Sequence, residues 1–111
     1  MSRVSDTAED TTDTKQERLQ HPSGWLYLTQ HESVAIIVDA LLDLPPHREF
    51  NKTELAEHAG VTRQTVANYV DLLLELSIIE EVPDTSPTRY RVAESDVVKE
   101  LYELNSALNS V

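Results

Sequence analysis

Residues 51–79 read NKTELAEHAGVTRQTVANYVDLLLELSII, and their turn chemistry and apolar spacing describe two short helices meeting at a tight glycine turn. Asn51 followed by Glu54 has the capping-box spacing that starts a helix, with Asn in place of the usual Ser or Thr. Leu55, Ala56 and Ala59 give that helix a small apolar face, and Ala56 stands where the two helices would come closest. Gly60 can take the positive φ that closes a helix in a Schellman-type turn. Val61 can plug the gap beneath it, and Thr62 is a good N-cap for the second helix. In that helix Val66, Val70, Leu73 and Leu74 recur at three-and-four spacing, which predicts one buried stripe. Its other face carries Arg63, Gln64, Thr65, Asn68 and Tyr69.

Downstream the period changes from helix to strand. Glu80, Glu81 and Val82 continue the apolar pair Ile78 and Ile79 as a short strand, and Thr88 to Val92 (TRYRV) is rich in β-favouring residues. Between them Pro83-Asp84-Thr85-Ser86-Pro87 is a run of turn formers, so a β-hairpin with a five-residue loop is expected. Alternation puts Arg89 and Arg91 on one face, with Tyr90 and Val92 toward the core.

Two helices across a glycine turn form a helix-turn-helix. Here the chain resembles the winged helix-turn-helix transcription factors of bacteria and archaea. Their pattern is A-x-x-x-G-V-T/S at the turn, R-x-T-V at the head of the second helix, and L-x-x-x-G-[LI]-I before the wing. The corresponding residues are Ala56 to Thr62 (AEHAGVT), Arg63 to Val66 (RQTV) and Leu73 to Ile79 (LLELSII). Ser77 departs from the pattern, standing where Gly is usual, so a turn that is harder to close is expected there. The likeness spans roughly Val34 to Val92.

The resemblance implies a mainly α fold with a small β-hairpin wing and an additional C-terminal helix. It also implies a sequence-specific regulator whose partner is double-stranded DNA, with recognition helix 62–76 in the major groove and wing 80–92 on the flanking backbone. Thr62, Arg63, Gln64, Thr65, Asn68 and Tyr69 are the candidate contacts on the helix. Lys52, Arg89 and Arg91 are the candidates outside it. Arginine can read guanine, and Gln or Asn can read adenine, through paired hydrogen bonds. The same polar side chains would also suit any solvated helix face.

Two more helices flank the motif. Thr29 with Glu32 has T-x-x-E spacing, and Val34, Ile37, Val38, Leu41 and Leu42 then line one face of a helix that ends before Pro45-Pro46. Ahead of it Trp25-Leu26-Tyr27-Leu28 is too apolar for a linker and is expected to dock on the core or on a second subunit. Ser95 caps a helix from Asp96 to about Asn109, in which Val97, Leu101, Leu104 and Leu108 make a two-heptad a/d seam. That seam is the expected homodimer interface; the alternative is a helix folded back on its own core. The expected division is a disordered acidic tail at 1–20, the winged domain at 21–94 and the C-terminal helix at 95–111.

Charge complicates a DNA partner. Twenty acidic residues against nine basic ones give a formal charge of −11, and only Lys15, Lys52 and Lys99 are lysines. Five of the nine basic residues, Arg48, Lys52, Arg63, Arg89 and Arg91, nevertheless fall within 48–91. Acid-rich, lysine-poor composition is that of proteins from salt-in halophiles. In molar salt the Debye length falls to about 3 Å, which screens repulsion from DNA but also removes the counterion-release gain.

Other chemistries find little footing. The chain has no cysteine, and its four histidines show no metal-ligand spacing. With Gly24 and Gly60 its only glycines, it holds no glycine-rich phosphate loop. No signal peptide or membrane-spanning run is visible, so a cytoplasmic protein without metal, cofactor or enzymatic activity is expected. Nothing identifies a small-molecule effector. Two functions from different classes remain: a homodimeric DNA-binding regulator adapted to high salt, and a winged helix serving as a protein-interaction module.

Overall fold

Helix-forming runs broken at Pro, Gly and Ser give a mostly helical protein. The computed structural model describes residues 14–111, which form six helices and one two-stranded antiparallel sheet. The chain divides into two units, one up to Glu32 and one from Ser33 to Val111. The motif-bearing unit therefore begins later than residue 21 and includes the C-terminal helix, whose Val98 is buried.

The first unit departs from expectation twice. Residues 14–20, expected as part of a disordered tail, form an exposed helix (α1). Lys, Gln, Glu, Arg and Leu are strong helix formers, so this stretch can be both solvated and helical. The rest of the expected tail, residues 1–13, lies outside the described residues. The apolar Trp25 to Leu28 segment belongs to a second helix, α2 (Gly24–Thr29), whose N-cap Ser23 accepts the Leu26 amide at 3.3 Å. Trp25 remains 64% exposed. Thr29 does not cap the following helix, because its hydroxyl donates to the Trp25 carbonyl one turn back, at 2.9 Å.

The second unit is built on α3 (Glu32–Leu42), α4 (Lys52–Ala59), α5 (Arg63–Glu75), the strands β1 (Ile79–Val82) and β2 (Arg89–Val92), and α6 (Asp96–Asn109). Val34, Ile37 and Leu41 of α3, Leu55 and Ala56 of α4, and Val66, Val70 and Leu73 of α5 are buried together with Ile78, Ile79, Tyr90 and Val98. The strands pair Ile79 with Val92 and Val82 with Arg89, leaving a six-residue loop that includes Thr88. A third extended position joins them. Phe50 exchanges backbone hydrogen bonds with Tyr90 at 2.9 and 2.7 Å, and their rings stack with centroids 6.3 Å apart. Sequence alternation gave no sign of Phe50, since a single bridging residue has no period.

Both helix ends of the motif close through left-handed residues. Gly60 has φ 75°, and the amides of Gly60 and Val61 both donate to the Ala56 carbonyl. At the end of α5, Ser77 has φ 60°, with Ile78 N–H bonded to Leu73 C=O at 2.9 Å and Ser77 N–H to Leu74 C=O at 3.1 Å. This is the Schellman pattern with serine at the position that favours glycine. Ser95 supports the turn: its hydroxyl donates to the Ser77 carbonyl at 2.6 Å and accepts the Val98 amide at 3.2 Å. One hydroxyl thus joins the end of α5 to the start of α6.

Opposite effects are expected at the two turns. Gly60→Ala forces a Cβ into the left-handed region and costs about 1–2 kcal/mol. Ser77→Gly relieves that strain and, after the added freedom of the unfolded chain, gains about 0.5–1 kcal/mol. Thermal unfolding of both variants checks this, at roughly 4–8 °C per kcal/mol for a domain of this size.

Candidate nucleic-acid interface

The outward face of α5 is ordered by its own side chains. Thr62 caps the helix, accepting the Thr65 amide at 3.1 Å, and the two threonine hydroxyls share a hydrogen bond of 2.9 Å. Gln64 Nε2 donates to Asn68 Oδ1 at 2.9 Å across one helical turn. Arg63, Gln64 and Asn68 are exposed while Val66, Val70 and Leu73 on the opposite side are buried. Tyr69 is half-buried. The helix therefore presents a stiffened strip of donors and acceptors, and the fixed Gln64–Asn68 pair lowers the entropy lost when the strip meets a partner.

The start of α4 is held by a complete capping box. Asn51 Oδ1 accepts the Glu54 amide at 2.8 Å and the Asn51 amide donates to Glu54 Oε1 at 2.9 Å. The same Glu54 oxygen takes a further bond, from Arg89 Nη2 of β2 at 3.1 Å. Hydrogen bonding from the Asn51 amide, with the nearby Arg89 charge, holds the Glu54 carboxyl below the usual carboxylate range. Arg89 also donates to the Glu49 carbonyl at 3.2 Å and lies 3.6 Å from its carboxylate. On the same strand Arg91 pairs with Glu80 across the ladder at 3.4 Å.

The expected contact residues thus separate into two groups. Both hairpin arginines are half-buried and spent on carboxylates of their own chain. Lys52 and Arg63 make no ion pair among the described residues, and both line one cleft of about 150 Å³ that also includes Thr53, Pro87 and Thr88. The cleft joins the first residue of α4, the first residue of α5 and the hairpin loop. A cation at the first position of a helix opposes the macrodipole at a cost of about 0.3–1 kcal/mol. Glu54 in the first turn of α4 offsets Lys52, whereas α5 has no acidic residue in its first turn to offset Arg63.

Sequence reasoning missed the carboxylates that hold the hairpin. Glu54 was legible as a capping residue, but nothing local shows that Arg89, 35 positions away, shares its oxygen. Thr85, which donates to the Val82 carbonyl and accepts the Arg89 amide, both at 2.9 Å, shapes the loop and was visible only as one turn former among five.

The four expected interface residues of α6 lie on a face displaced from its core contact. Val97, Leu104 and Leu108 are 41%, 41% and 61% exposed, Leu101 is half-buried, and the residue that enters the core is Val98. Among the described residues no group of three or more metal-ligating side chains converges, and no helix is long and apolar enough to cross a membrane. No family model matches this chain, and neither does any curated protein or any solved structure.

The Glu54 contacts have a defined pH dependence. A carboxyl whose folded pKa is depressed contributes stability above its unfolded value, and that contribution is lost as pH falls through the folded value. Glu54→Gln should accordingly melt lower than the unmodified protein at neutral pH. Its melting temperature should also fall less steeply below about pH 4, the region where free carboxylates titrate. Melting curves across that range check both.

Proposed function

We propose that this protein is a sequence-specific DNA-binding transcription regulator of the winged helix-turn-helix kind, acting in the cytoplasm as a homodimer at high salt. The observation that carries the reading is α5, buried along Val66, Val70 and Leu73 and presenting Arg63, Gln64 and Asn68 outward. An α-helix fits the major groove, where Gln or Asn specifies adenine. The arrangement of helices followed by a small antiparallel hairpin is compatible with a winged-helix layout and supports this assignment.

High salt suits the chemistry of this face. The strip consists mainly of neutral hydrogen-bonding groups, whose contacts salt screens far less than ion pairs. The −11 charge then hinders approach to DNA little once the Debye length is about 3 Å. Dimerisation through Val97, Leu104 and Leu108 would set two α5 helices on half-sites about one helical turn, ~34 Å, apart.

Selection from random duplex DNA in molar KCl tests the reading. The protein is expected to enrich a roughly palindromic motif, and Gln64→Ala should enrich none while melting within about 0.5 kcal/mol of the parent, as an exposed substitution does. No enrichment by the folded parent would favour the protein-interaction reading, for which the exposed apolar residues of α6 speak. Leu104→Asp, placed on the exposed seam, should convert a sedimenting dimer to a folded monomer. A dimer that survives this change moves the interface elsewhere.

A further inference from the structure

We propose that the cleft between α4, α5 and the hairpin loop binds a backbone phosphate of the DNA through Lys52 and Arg63, and that Arg89 and Arg91 position the wing and contact no phosphate. The inference rests on the DNA-binding reading and assigns the electrostatic part of it to two residues.

Charge accounting separates the two pairs of cations. Arg89 lies against the carboxylates of both Glu49 and Glu54, and Arg91 pairs with Glu80, so each hairpin arginine is already matched by carboxylate charge. Turning Arg89 toward a phosphate would abandon two carboxylates beside the DNA and leave the Glu54 oxygen with the Asn51 amide alone. Lys52 and Arg63 have no such commitments among the described residues, and they share one cleft. Arg63 also occupies the first position of α5, whose first turn holds no acidic residue, so a cation there is unfavourable until an anion arrives. A phosphate there would meet two positive side chains beside Thr53 and Thr88, which line the same space. The Arg89 guanidinium instead ties β2 to Glu49 and to Glu54 of α4.

The test is the salt dependence of binding to mixed-sequence duplex DNA, measured with the full chain and its variants Lys52→Gln, Arg63→Gln, Arg89→Gln, Arg89→Lys and Arg91→Gln, and with Lys52→Gln and Arg63→Gln combined. Each phosphate contact contributes about 0.9 to the slope of log affinity against log salt. Lys52→Gln and Arg63→Gln should each reduce the slope, and the two changes combined should reduce it by about that amount. Arg89→Gln should weaken binding at constant slope, with Arg89→Lys restoring part of the loss, and Arg91→Gln should keep the parental slope. Loss of slope in Arg91→Gln or Arg89→Gln, or an undiminished slope in both Lys52→Gln and Arg63→Gln, overturns the inference while leaving DNA binding in place. Should Arg89→Gln not fold, Arg91→Gln carries the wing half of the test. A folded parent that binds no duplex at any salt overturns the DNA-binding reading itself, and this inference with it.

Discussion

A single carboxylate oxygen ties the parts of this domain together. Glu54 Oε1 receives the Asn51 amide, which starts α4, and the Arg89 guanidinium, which brings in β2. Because Asn51 follows Phe50, and Phe50 is bridged to Tyr90, the same neighbourhood fixes the chain entering α4 and the strand leaving the loop. The loop between the strands is then set by Thr85, bonded to Val82 and Arg89. The cleft that holds Lys52 and Arg63 exists only because these three segments are held together. The pair is about half exposed, so its importance lies less in raw stability than in geometry.

The acidic composition acquires a structural meaning at this point. In a chain of charge −11, the hairpin arginines meet carboxylates of their own chain. The two cations on the motif that do not are the two at helix starts, facing the cleft. On the proposed reading, selectivity against wrong sequences comes from the neutral strip Gln64, Thr65 and Asn68, and phosphate attraction from only two positions. That division suits strong screening, where many weak ion pairs would contribute little and well-aimed hydrogen bonds keep their value.

Local chemistry made much of the fold legible. Asn51, Gly60, Thr62 and Ser95 each do in the structure what their side chains or φ preference imply, because caps and left-handed turns are decided within a few residues. Ser77 was legible as an irregularity, and it does adopt the strained φ that a glycine would take freely. Legibility ended where two local solutions competed or where contacts were distant. Thr29 had the spacing to cap α3 but bonds backward within α2. The hairpin arginines looked like ligands for DNA because alternation shows which face they share, not that Glu49, Glu54 and Glu80 wait on it. On α6 the a/d residues Val97, Leu104 and Leu108 stay exposed, and Val98, one position off the seam, is what the core takes.

The central claim, that the outward face of α5 and the adjoining cleft receive duplex DNA, is tested most directly by mapping amide and side-chain NMR shifts as DNA is added in high salt. Perturbations are expected to concentrate at residues 62–68, at Lys52 and Thr53, and at Thr88, with the Arg91 side chain unmoved. Perturbations confined to the exposed seam of α6, or none at saturating DNA, would contradict it.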